Sequence, residues 1–151
     1  MIKRLYFGLF FSPQRSIELY KLSSWLLKKK FRRLAYIIKG VNITLNGCEI
    51  APSAKIGKNF HIAHSVGIVI GEGVVIGDNV KIYQNVTLGT KDGKAPSYPT
   101  IKDNVILFTG AVVAGDVIIG ENSIVGANSV VLKSVPPRHI ATGVPAKVKK
   151  I

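Results

Sequence analysis

The chain has 151 residues, 47% hydrophobic but only 8% aromatic, with a formal net charge of +13. That length suits one domain rather than two, and with Cys48 as the single cysteine an intrachain disulfide is excluded. Ten Lys/Arg and one acid fall in residues 1–40, against eleven and seven in 41–151; no recognition helix, stacking platform or nucleic-acid motif accompanies the basic tract, so a nucleic-acid partner is not expected.

Residues 1–40 read as a basic amphipathic helical segment. The apolar run 5–11 is too short to span a bilayer, and 12–15 offers no small-x-small cleavage site. Ser12 and Pro13 suit a helix start. Ile17, Tyr20, Ser24 and Leu27 then recur at helical spacing, as do Leu22, Trp25, Leu26 and Lys29. A basic run (28–33) and a second apolar stretch (34–38) come next, with a stop expected at Gly40. Two roles fit this segment: a cap over the open end of the unit formed by residues 41–151, or a cationic surface in peripheral contact with anionic lipid. The expected location is cytoplasmic, at the inner membrane surface under the second role.

Residues 41–151 form the second unit, and a period of six dominates them. Aliphatic residues stand at Ile50, Ile56, Ile62 and Ile68, slip by two, and resume at Ile70, Ile76, Ile82 and Leu88. They continue at Ile101, Leu107, Val113, Ile119, Val125 and Val131, each preceded two residues earlier by a small or apolar residue such as Cys48, Ala54, Val66 or Ala111. This period fits neither a helix nor a hairpin strand. It is the signature of a parallel β-helix, in which each hexad makes one short strand and one corner. Three hexads close a coil and raise the chain by about 4.8 Å. The expected fold is all-β, about four to five coils with one projecting loop and a short α-helical N-terminal cap. Cys48 occupies an inward slot and reads as a packing thiol.

The repeat breaks in three places: the slip after residues 61–67, a Gly/Pro/Lys-rich excursion at 89–100, and Pro136-Pro137 with the tail beyond. Loops on a rigid scaffold are where chemistry concentrates. No phosphate-binding glycine loop and no His/Cys/Asp cluster with metal-ligand spacing is present, so no metal is expected.

These breaks carry a resemblance. Glu49-Ile50-Ala51-Pro52-Ser53-Ala54-Lys55-Ile56-Gly57, Ala63-His64, Val69-Ile70-Gly71-Glu72 and Ile82-Tyr83-Gln84-Asn85-Val86-Thr87-Leu88-Gly89 resemble the serine acetyltransferase branch of the hexapeptide-repeat acyltransferases, as do residues 129–137 and Gly143-Val144-Pro145-Ala146-Lys147. The resemblance implies a left-handed coil, a homotrimer, and acetyl-CoA as co-substrate in a groove between subunits. It places His64 as the general base, with Glu49 as its carboxylate partner fifteen residues earlier. Thr109, Gly110 and Ala127 would line the pantetheine groove, Lys133 and Lys147 would meet phosphates, and Pro145 would pack near the adenine. His61, also outward-facing, and Lys94 and Tyr98 of the projecting loop are candidates for the acceptor pocket, although a solvated histidine and an ordinary loop explain them as well.

Three departures from the serine enzymes steer the expected acceptor elsewhere. Ala63 stands where those enzymes place Asp, Ser97-Tyr98 where they place Arg-His, and about forty basic residues where they carry a large helical domain. The pattern is similar to the short acetyltransferases of exopolysaccharide, capsule and O-antigen clusters. The expected activity is therefore acetyl transfer to a hydroxyl of a small-molecule or lipid-linked sugar in polysaccharide biosynthesis. Serine O-acetylation is the first alternative, and a non-catalytic membrane-surface scaffold the second.

Overall fold

The structure is a computed structural model and describes residues 12–91 and 97–151. Lys94, and the apolar run 5–11, lie outside the described residues.

Two helices open the described chain, α1 (Ser12–Lys28) and α2 (Arg32–Asn46). The stop expected at Gly40 lies seven residues further on, at Gly47. A glycine ends a helix where the backbone turns left-handed; Gly47 does so at φ +60, and its N–H returns to Ile43 O at 2.9 Å. Gly40 keeps helical geometry and is tolerated in mid-helix at a cost of about 1 kcal/mol. A polar seam joins the pair: Arg15 Nε donates to Asn46 Oδ1 (2.7 Å), Asn46 Nδ2 to Asn42 Oδ1 (2.8 Å), and Asn42 Nδ2 to Ser16 O (3.1 Å). Tyr20 anchors α1 to the coils by donating its hydroxyl to Ala54 O at 2.8 Å, and burial pushes its pKa up. Among the described residues no helix is long and apolar enough to cross a membrane.

The remainder winds into three parallel sheets. The first face holds β1 (Cys48–Ile50), β4 (Ile68–Ile70), β7 (Thr87–Gly89), β10 (Val112–Ala114) and β13 (Val130–Val131). The second holds β2 (Lys55–Ile56), β5 (Val75–Ile76), β8 (Thr100–Ile101) and β11 (Ile118–Ile119). The third holds β3 (His61–Ile62), β6 (Lys81–Ile82), β9 (Ile106–Leu107), β12 (Ile124–Val125) and β14 (His139–Thr142), closed by the antiparallel β15 (Lys147–Lys150). The expected parallel β-helix is thus present, and the hexad positions Ile50, Ile62, Ile68, Ile70, Ile82, Leu88, Ile101, Leu107 and Ile119 fill its centre at less than 2% exposure.

Register departs from eighteen residues per coil where the sequence breaks. Val112 pairs with Val130, 18 residues on. His61 pairs with Lys81, 20 on, across the slip, and Lys81 with Ile106, 25 on, across the excursion. Between the second and third faces the corners are built by Asn59, Asn79, Asn104 and Asn122, all at φ between +54 and +58. Asparagine tolerates this left-handed conformation better than other residues with a Cβ. Its amides then chain upward, Asn59 Nδ2 to Asn79 Oδ1 (3.0 Å) and Asn79 Nδ2 to Asn104 Oδ1 (3.2 Å).

Candidate active site

The corner that leads from the third face to the first gathers the candidates. Its backbone column is bonded coil to coil: Asn85 N donates to Val66 O, Gly110 N to Gln84 O and Asn128 N to Thr109 O, at 3.0, 3.0 and 2.9 Å. Gly67, Asn85, Gly110 and Asn128 take positive φ at matching places, 75, 60, 68 and 54°. A Cβ on Gly67 would strike the Asn85 amide, and one on Gly110 the Asn128 amide, so glycine is required twice in this corner.

The two extra residues of the first coil sit here. Ala63 N bonds Ile82 O, while Gly67 lies under Asn85. Between those fixed points His64, Ser65 and Val66 stand opposite one residue, Gln84. Surplus residues of this kind re-aim side chains. Val66, expected inward, is 64% exposed, and Ser65 takes the inward slot at 1%. Ser65 Oγ donates to Ser12 Oγ at 3.1 Å, which anchors the bulge to α1. His64 projects outward and exposed.

Beside the bulge, Tyr83 and Phe108 stack with ring centroids 5.2 Å apart, and Lys81 Nζ lies 5.0 Å from the Tyr83 ring. One coil above His64, Gln84 Oε1 is buried and has no hydrogen-bond partner among the described residues. Thr109 and Ala127 come next at one-coil intervals. One corner therefore carries His64, Gln84, Thr109, Gly110 and Ala127 in sequence along the prism. In the sequence, Tyr83 and Gln84 stood only within a motif and carried no expected role. Their place directly after the inward Ile82, one coil on from the slip, was the available signal.

The other candidates fall elsewhere. Glu49 projects from β1, and its Oε1 lies 2.7 Å from Lys39 Nζ of α2; among the described residues no hydrogen bond or ion pair joins Glu49 to His64. A second link from α2 to the coils is the Tyr36 hydroxyl, which donates to Glu72 Oε1 at 2.7 Å, a bond that raises the phenol's pKa. His61 is exposed on the third face opposite Lys81. Tyr98, expected to reach outward from the loop, instead lays its ring over Gly71 and Gly73, where any Cβ would collide with it. Two glycines on the coil below leave a shelf for the ring, and burying it there is favoured over solvent exposure. Lys133 and Pro145 line one hollow of about 410 Å³ with Lys91 and Ala146. Lys147 begins β15, paired with Thr142, which itself lies against Gly126. Among the described residues no group of three or more His, Cys, Asp or Glu is placed to hold a metal ion.

Residues 98–133 match the family described as bacterial transferase hexapeptide (six repeats). A serine acetyltransferase of Bacillus subtilis is 43% identical over 139 residues, 91% of this chain and 64% of the relative. Over these 139 residues the chain is similar to a serine acetyltransferase. Soybean serine acetyltransferase complexed with serine superposes with a TM-score of 0.91 at 35% identity, covering 95% of this chain and 60% of that one. A Brucella abortus serine acetyltransferase in complex with coenzyme A superposes at 0.90 and 32%, covering 93% and 57%. The coils share the left hand of these serine acetyltransferase structures. Coverage this wide exceeds what the coils alone supply, so α1 and α2 are part of the likeness. The chain spans 49–64% of the length of the curated relatives it matches.

The comparison overturns the expected sugar acceptor. That expectation rested on three side chains, at positions 63, 97 and 98, and on the short N-terminal segment. The homology to serine enzymes runs through 91% of the chain, helices included. Substitutions at a few positions change how a site reads its substrate without changing the lineage of the scaffold.

Proposed function

We propose that the protein transfers an acetyl group from acetyl-CoA to the hydroxyl of serine. The observation that supports this best is the 43% identity to a serine acetyltransferase over 139 residues, across helices and coils together. The corner geometry fits the chemistry. His64 is exposed at the bulge and forms no ion pair with the described residues, as a general base must be to reach an incoming hydroxyl. In this reading its imidazole takes the hydroxyl proton as the C–O bond forms, and returns it to sulfur as the C–S bond breaks.

The residues present also fit the acyl carrier. An unpartnered Gln84 oxygen, the left-handed Gly110 and the small Ala127 stand one above another, a strip on which a narrow arm lies against backbone. Lys147 near the top of this strip, and Lys133 with Pro145 around their hollow, supply cations and an apolar wall for phosphates and a base. Because the strip and the hollow lie on different corners of one chain, we read the site as shared between neighbouring copies in a trimer. Outward aliphatics such as Val69, Val75, Ile118 and Leu132, each more than a third exposed, suit such packing.

The test is a thiol-release assay with acetyl-CoA, L-serine and a panel of other hydroxyl acceptors, alongside light scattering. Serine-dependent release by a trimer supports the reading. A monomer with full activity removes the shared site, and release that ignores serine while another acceptor turns over removes the acceptor.

A further inference from the structure

The strongest unexplained feature is Gln84. Its Oε1 is buried without a hydrogen-bond partner, although desolvated amides are ordinarily paired. It is also the residue facing the His64–Val66 bulge, and the link between that bulge and Thr109. The terminal torsion of a glutamine side chain is soft, so the carboxamide can turn its oxygen toward a ligand lying in the corner.

We propose that Gln84 is a binding residue for the acyl donor: its carboxamide accepts a hydrogen bond from the amide N–H nearest the thioester, and so sets the acetyl carbon beside His64. The inference deepens the acetyl-transfer reading and rests on it. Its logic is one of spacing. In a coenzyme A thioester the first amide stands two methylenes from sulfur, and coils are about 4.8 Å apart. With the thioester at the His64 level, that amide therefore comes level with the next coil, where Gln84 is the polar side chain in need of a partner. The stacked Tyr83–Phe108 pair beside it gives the methylenes an apolar wall.

The proposal separates from a structural role by its effect on stability. An unsatisfied buried amide oxygen does not stabilise the fold, so Gln84→Leu should melt at the wild-type temperature or above it. The same variant should bind acetyl-CoA about tenfold more weakly by calorimetry, the scale of one hydrogen bond to a buried partner. Gln84→Glu, which retains an acceptor, should recover part of that loss. Of two small donors, S-acetyl-N-acetylcysteamine and an alkyl thioester without an amide, wild type should favour the first and Gln84→Leu should show no preference. Equal acetyl-CoA binding by wild type and Gln84→Leu, or a fall in melting temperature like that of a core truncation, overturns the role of Gln84 while leaving acetyl transfer intact. A wild-type protein that binds no acetyl-CoA overturns the underlying reading instead.

Discussion

Lys39 Nζ lies 2.7 Å from Glu49 Oε1, so a lysine of α2 holds the carboxylate that the family resemblance pairs with His64. The lysine side chain is 19% exposed and the glutamate 41%, which leaves the pair partly open to solvent. The helix cap therefore does more than cover the first coil. It places a lysine against the carboxylate of the strand beside the bulge.

Breaking that pair tests its weight. Lys39→Met should cost about 0.5–1 kcal/mol of stability, as for other partly exposed ion pairs. Glu49→Gln should lower kcat far less than removal of the imidazole does. Thermal melts and steady-state kinetics on both variants check this; a Glu49→Gln loss equal to that of His64→Ala makes the carboxylate a direct partner of the histidine.

His64→Ala should lower kcat by ~10²–10⁴, the usual contribution of a general base. Acetyl-CoA binding should stay within a few-fold, because in the proposed reaction the imidazole acts on the acceptor hydroxyl. A smaller loss than His61→Ala assigns the base to the wrong histidine.

Serine recognition needs a carboxylate for the ammonium group. Position 63 holds alanine beside the exposed His64, so Ala63→Asp should lower KM for L-serine with kcat little changed. An unchanged KM places the ammonium site elsewhere on the protein.

Gly110 sits at φ +68 with the Asn128 amide in the place of any Cβ. Gly110→Ala should therefore destabilise by about 2 kcal/mol, from the left-handed backbone and the displaced amide together. Gly40→Ala, in a helix and with nothing within 4 Å, should stabilise by a fraction of that. Denaturant titrations of the two variants give the contrast directly.

Cys48 is fully buried, and burial pushes its thiol up to about 12 from 9.0. The folded pKa is raised, so its contribution to stability is complete below pH 9 and is lost as pH rises from there toward 12. At pH 8 a thiol reagent should react with the native protein only as fast as it unfolds, and at once in denaturant.

What the sequence made legible was the inward side of the coils. A six-residue period dictates which side chains point to the axis, and Ile50, Ile70, Ile82 and Leu88 are buried accordingly. The same period located a slip just after residues 61–67, and the structure seats the two surplus residues at His64–Val66. The period could not say which of the extra residues would take the inward slot. Ser65 did, because Ser12 of α1 offers its hydroxyl a partner and Val66 has room outside.

Outward side chains were less legible because docking decides them. Lys39 and Glu49 meet because α2 packs over β1, a relation with no periodic trace. Tyr98 turned onto the coil because Gly71 and Gly73 leave space beneath it, and two glycines in a repeat full of glycines carry no such message. The acceptor was misjudged for a related reason: three substituted positions were weighed against a likeness whose extent one sequence does not reveal.

The antiparallel return of β15 has a consequence for how the protein behaves in a crowd. Stacked parallel coils present at each end a row of unpaired backbone groups, an invitation to add another chain. At the lower end α1 and α2 occupy that position, with Tyr20 tied to Ala54. At the upper end β15 runs against the grain and carries Lys147, Lys149 and Lys150, all exposed. A second molecule approaching the third face from above meets a positively charged strand of opposite direction, and one approaching from below meets the helices. On that face the stack is closed to a further parallel strand.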